Sequence, residues 1–173
     1  MTILCPDFRA HVVEPAMELC RDLAHVPADQ FSADLLIATA AHETGLGSFL
    51  VSSAGFVSPY QLDPAVIDEL MSGYIADAKH DNSPRFHTLM QRVRCHVSVP
   101  APIEATSNLL FATVLARLHY YRVPQAPPTE TTFLDLLLWY KTYWDTDTAE
   151  HSTETSFANA LKAHTDLPYT HAV

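Results

Sequence analysis

Glycine is scarce in this chain, with four in 173 residues, and basic residues are few, with ten Lys and Arg against twenty Asp and Glu. No Gly-rich phosphate loop, dinucleotide fingerprint or Gly-x-Ser-x-Gly elbow is present. The formal charge of −10, with ten His uncounted, argues against a nucleic-acid binder, which needs clustered cations to displace counterions. It argues less strongly against a freely diffusing enzyme steered onto an anionic surface. The longest apolar stretches, such as Leu109 to Ala116 and Leu134 to Tyr140, fall well short of the roughly 20 residues that span a bilayer. Met1 to His11 lacks the cationic-then-apolar order of a secretory signal, so the expectation is synthesis in the cytoplasm without export. Cys5, Cys20 and Cys95 are odd in number and lack metal-like spacing, which reads as reduced thiols.

What the chain does have is 48% hydrophobic against 17% charged residues, a globular balance, at a length that suits one domain over residues 1–173. Helical periodicity dominates it. The expected fold is mostly α, about six or seven helices by period counting, with an irregular loop or small hairpin across Gly47 to Tyr60. Asp29 or Ser32 can cap a helix through Leu35, Leu36, Ile37, Ala38, Ala40 and Ala41, with Gly45 as terminator. Asp63-Pro64 is a cap followed by proline at the first helical position. Ile67, Leu70, Met71 and Tyr74 continue it as a buried stripe. Phe86, Leu89, Met90 and Val93 predict a short helix after Ser83-Pro84, and Val97 to Pro102 a linker. A long helix is expected from Ile103 to Tyr121, a stiff proline connector over Val123 to Pro128, an amphipathic helix from Phe133 to Trp144, and a last helix around Phe157 and Leu161. Two of the four glycines, Gly45 and Gly47, flank Leu46 in one turn, and Gly55 follows in the next loop. In a chain so sparing of glycine, that clustering marks an unusual backbone path. An ordinary helix–loop–helix corner would use glycines the same way.

Chemistry concentrates at that turn. Glu43 ends an apolar helix, where desolvation and the negative half-charge of the helix C-terminus both raise a carboxyl pKa. Such a group can hold a proton near neutral pH and deliver it to a glycosidic oxygen. A solvated Glu at a helix end is the competing reading. Thr44 sits beside it, and Ser58, Tyr60, Gln61 and Asp63 follow in a polar loop. There Gln61 offers a donor and an acceptor to sugar hydroxyls, and Tyr60 a flat face and a hydroxyl. Asp63 before Pro64 reads first as a helix N-cap and second as a carboxylate that orients water or stabilises charge. Among Tyr120, Tyr121, Tyr140, Tyr143 and Trp144 most are core, with one or two free to stack on sugar rings, Tyr121 and Tyr140 being the candidates.

Other chemistries fail on spacing. His42-Glu43 lacks the second His of a helical zinc site, that position being Leu46, and Gly45 would break the helix. No metal or other cofactor is called for. Cys95-His96 is no nucleophile–base pair, since neighbours on a helix point about 100° apart. Cys95 reads instead as a buried or half-buried small residue.

Ala41-His42-Glu43-Thr44-Gly45, the loop after it and Ser58-Pro59-Tyr60-Gln61-Leu62-Asp63-Pro64 resemble the lysozyme-like superfamily. The likeness is to its lytic-transglycosylase and goose-type side, and within that to members encoded by phages and carried in virions and tails. Ala116-Arg117-Leu118-His119-Tyr120-Tyr121-Arg122 resembles their Ala-Arg-x-x-Tyr-x-Arg helix, and Leu138-Trp139-Tyr140-Lys141-Thr142-Tyr143-Trp144-Asp145-Thr146 their Trp-Lys-x-Tyr-Tyr-Asn-Thr segment. The likeness spans about residues 34–157. It implies a lysozyme-like fold, Glu43 as catalytic acid, Gln61 in the glycan groove, Asp63 at the second carboxylate position, and cleavage of the β-1,4 glycan strands of peptidoglycan. The chain departs from that pattern where the family's glycine before the Gln segment is Ser58 or Pro59, and in the segment from Asp147 to Ser152. With the acidic charge, the resemblance implies an enzyme carried by the infecting particle among other virion proteins and acting on the periplasmic wall. The alternative is a virion structural protein with a lysozyme-like shape and little or no catalysis.

Overall fold

The computed structural model describes residues 3–77, 83–145 and 154–168. These are mostly helical: α1 (Cys5–Phe8), a π-helical turn (Arg9–Val13), α2 (Glu14–Ala24), α3 (Gln30–Thr44), α4 (Pro64–Glu69), a second π-helical turn (Leu70–Ile75), α5 (Ser83–Val93), α6 (Ala101–Ala105), α7 (Leu109–Tyr121), α8 (Phe133–Tyr143) and α9 (Glu154–His164). Among them no helix is long and apolar enough to cross a membrane.

The helical path from Cys5 to Ala24 carries no signal in the reading above. Its π turn has a local cause. Pro15 has no N–H, and its ring crowds the carbonyl four residues back. The path widens just before it, and the Glu14 N–H reaches the Arg9 carbonyl five residues away.

α3 is the central element. Asp29 caps it, its carboxylate accepting from the Ser32 N–H at 2.8 Å and the Ser32 hydroxyl at 2.9 Å. Leu35, Leu36, Ile37, Ala38, Ala40 and Ala41 are all buried, so the helix is covered on every side. Its cover comes from α7, α8, α9 and the Arg9–Val13 turn. An ion pair ties that turn in place: Arg9 Nη2 donates to Asp34 Oδ1 at 2.6 Å, with Gln30 Nε2 on the same oxygen at 2.8 Å.

Asp63 begins α4 as expected, accepting from the Ala65 N–H at 2.8 Å. The expected long helix from Ile103 is two helices. Asn108 ends the continuity: its Oδ1 accepts from Phe111 N–H at 3.0 Å and starts α7, while its Nδ2 donates to the Val93 carbonyl at 2.8 Å. Buried Glu104, on α6, is held by Arg94 Nε at 2.9 Å and by the Cys95 N–H at 2.6 Å. The side-chain network, rather than periodicity, thus sets the break. α5 ends at Val93, so Cys95 lies past the helix and is exposed, where the sequence reading expects a buried or half-buried residue. The loop after α3 holds two isolated antiparallel bridges, Val51 to Val57 and Val57 to Leu62, the irregular hairpin expected there.

Candidate active site

Glu43 stands one residue before the C-terminus of α3, and the chain reverses immediately after it. Gly45 is left-handed at φ +58°; its N–H bonds the Ala41 carbonyl and the Leu46 N–H bonds the Ala40 carbonyl, both at 3.0 Å. The Gly45 bond is the 5→1 closure of an αL cap, and the Leu46 bond reaches the carbonyl one residue further back. Leu46 (φ +58°), Ser58 (φ +75°) and Gln61 (φ +49°) are also left-handed, a conformation that costs a non-glycine residue about 1–2 kcal/mol. Backbone strain is therefore concentrated in the segments that follow Glu43.

α8 supplies the partners of the carboxyl. Its start is fixed by a capping box, in which Thr132 and Asp135 satisfy each other's backbone N–H groups. That phasing brings Tyr140 and, four residues on, Trp144 to the same side. The Tyr140 hydroxyl donates to Glu43 Oε1 at 2.7 Å, and the Trp144 side chain also hydrogen-bonds the carboxyl. Burial pushes the Glu43 pKa up to about 7; the hydrogen bonds from Tyr140 and Trp144 pull it down, and the negative charge of Asp145 adds to the rise. The group is thus poised near half protonation at neutral pH. It can give a proton to a leaving oxygen and take one back.

Around this pair lies an aromatic packing layer. His42 meets Tyr140 edge-on at 5.1 Å and Phe157 at 5.3 Å, and burial lowers its pKa. Trp144 is wedged against His119 (4.9 Å), Tyr120 (5.0 Å) and Tyr60 (6.2 Å). The His119 Nε2 meets the Tyr143 carbonyl at 2.9 Å, and burial drives its pKa down to about 4.

The other residues singled out in the sequence divide three ways. Tyr140 joins Glu43 directly, though its ring is buried and its hydroxyl is directed at the carboxylate rather than at a sugar. Thr44, Ser58 and Tyr60 are buried, and their side chains hold the turn together rather than face a groove. Thr44 Oγ1 donates to the Pro59 carbonyl and accepts from the Gly47 N–H, each at 2.8 Å. Ser58 Oγ accepts from the Tyr60 N–H at 3.3 Å, and the Tyr60 hydroxyl shares a 3.0 Å hydrogen bond with Thr113. Direct substrate contact by these three is corrected to support of the turn, because their polar atoms are spent internally and closed off from solvent. Gln61 is half-buried, its Nε2 donating to the Ser58 carbonyl at 2.9 Å, and Asp63 is the exposed cap of α4. Tyr121 is not at this site. It lies under Arg117, 5.6 Å from guanidinium carbon to ring centre, beside a separate cavity.

Trp144 and Asp145 are the site residues that sequence reading left in the core or in a matched segment. The signal for Trp144 was its four-residue spacing from Tyr140, legible only once α3 and α8 are known to pack, and Asp145 follows it directly. The loop after the turn exposes Phe49, Val51 and Phe56, apolar surfaces that single out no chemistry in the sequence. Comparison of the chain with protein-family models, with curated proteins and with solved structures finds no match.

Proposed function

We propose that the chain cleaves the β-1,4 glycan strands of peptidoglycan, with Glu43 as general acid and then base. The observation that carries this is the half-buried Glu43 carboxyl, held by Tyr140 and Trp144 at a helix end and raised to about 7. In the reaction, protonated Glu43 gives its proton to the glycosidic oxygen as the C1–O bond breaks. The resulting carboxylate then takes a proton from the hydroxyl that closes on C1. In the transglycosylase course that hydroxyl is the sugar's own at C6, and a 1,6-anhydro end forms. In the hydrolase course it belongs to water. The first is favoured, since Asp63, the carboxylate at the second position of the resembled pattern, is exposed and engaged as a helix cap.

The resemblance gains a physical argument at Ser58. The family's glycine falls at Ser58 or Pro59, and Ser58 has φ +75°, a conformation that favours glycine. The acidic charge of −10 supports an enzyme carried to the wall by a phage particle, where attachment replaces long-range attraction. Mass spectrometry of digested murein is the test. Anhydro-muropeptides are expected from the wild-type chain and none from Glu43→Gln; intact murein from both would overturn the reading.

The structural-protein alternative draws on one observation: most of the candidate contact residues are buried, leaving Glu43 with few exposed polar neighbours of its own loop. Absence of clearing on murein zymograms, with the chain found in purified particles, would select it.

A further inference from the structure

A cavity of about 410 Å³ opens beside the N-terminal half of α3, bounded by Asp29, Leu35, the end of α7, Trp139 and the proline connector after Val123. Leu35 and Glu43 are eight positions apart on the same helix, roughly 12 Å at 1.5 Å per residue. Neither Glu43 nor its partner Tyr140 lines it.

Its walls combine flat rings with positive charge. Tyr74, Tyr121 and Trp139 supply the rings. Tyr74 is set there by the π-helical turn Leu70–Ile75, and such turns recur at functional sites. Arg117 and Arg122 supply two cations against the single carboxylate of Asp29, in a chain whose net charge is −10. Asp29 is already satisfied: it caps α3 through both Ser32 groups and stands 3.8 Å from Arg117. The Arg117 side chain is only 5% exposed. Its Nη2 donates to the Pro27 carbonyl at 2.9 Å, yet its Nε, buried, has no acceptor. A buried donor without a partner is costly, and a positive charge in the wall of a partly enclosed cavity draws an anion more strongly than it would at the open surface. Arg122 reaches the exposed Glu69 at 3.0 Å, a weak surface pair that a ligand can replace.

We infer that this cavity binds a small organic anion: a carboxylate carried on one or two flat rings, the rings against Tyr121 and Trp139 and the carboxylate toward Arg117 and Arg122. The volume sits in the small-ligand range of roughly 300–1,000 Å³, and guanidinium groups suit a planar carboxylate. The site is independent of the reading of Glu43.

Calorimetric titration with indole-3-acetate tests it, with tryptamine as the same ring bearing the opposite charge. Saturable binding of the acid is expected, at least tenfold tighter than that of the amine. Arg122→Gln, at a partly exposed position, and Tyr121→Leu should each weaken it about tenfold, and Glu43→Gln should leave it unchanged. No saturable binding at millimolar acid, equal binding of acid and amine, or indifference to Arg122→Gln would overturn the anion site. Loss of binding in Glu43→Gln would overturn its separateness from the Glu43 site.

Discussion

The Tyr140 hydroxyl lies 2.7 Å from Glu43 Oε1 although the two residues are 97 positions apart in the chain. One end of that contact is fixed by a glycine cap on α3, the other by a capping box on α8. A carboxyl that burial alone would drive further up is held near neutrality by the donor.

Tyr140→Phe removes a hydrogen bond that favours the charged form, so the Glu43 pKa should rise above about 7. If Glu43 is the general acid, the alkaline limb of the activity profile moves to higher pH in this variant. A pH profile of murein cleavage measures it, and an unmoved limb would detach Tyr140 from the titration.

Glu43→Gln should lower murein cleavage by several orders of magnitude and at the same time stabilise the chain at alkaline pH. The folded-state pKa, about 7, lies above the ordinary 4.5. The stability this protonated group contributes is therefore complete below pH 4.5 and is lost as pH rises through 7. A neutral Gln escapes that loss. Its advantage over wild type should approach at most about 3 kcal/mol above pH 8 and vanish near pH 4. Denaturant melts at the two pH values give the comparison.

His119 works in the opposite direction. Its folded-state pKa, about 4, is below the ordinary 6.5, so its contribution is complete above pH 6.5 and is lost as pH falls through 4. In a Glu43→Gln background, which removes the opposing titration, melting temperature should drop between pH 6.5 and 4. Adding His119→Gln should flatten that drop; an unchanged slope would place the acid sensitivity elsewhere.

Two substitutions probe the strained turn. At Gly45 an added Cβ would lie 3.0 Å from both His164 Cε1 and Ser48 Oγ, at a left-handed φ. Gly45→Ala should cost about 1–3 kcal/mol in denaturant melts. Ser58→Gly relieves a left-handed serine but removes the buried Oγ that accepts from the Tyr60 N–H, so it should cost clearly less than Gly45→Ala, the relief of about 1–2 kcal/mol offsetting the lost hydrogen bond. Equal effects of the two would remove the argument from backbone strain.

Much of the helical framework was legible because its signals are local. Asp29, Asp63-Pro64, Gly45 and the 3.6-residue stripes each act within a turn or two of themselves, and those helices stand where the residues call for them. The break at Asn108 was not legible, because its partners Val93 and Glu104 come from other elements. The N-terminal path through Pro15 was missed too, since a π turn accommodates a proline that periodicity treats as a stop.

At the site, local signals suffice to end an apolar helix at Glu43 before a glycine turn and to make Asp63 the cap of the next helix. Which side chains face one another is set by how the helices pack. Packing α8 against α3 directs Tyr140 and Trp144 onto Glu43, while the same collapse buries Thr44, Ser58 and Tyr60 and sends Tyr121 to a different cavity. Periodicity tells which residues leave water. It carries no information about which neighbour they meet, because that depends on contacts between segments a hundred residues apart.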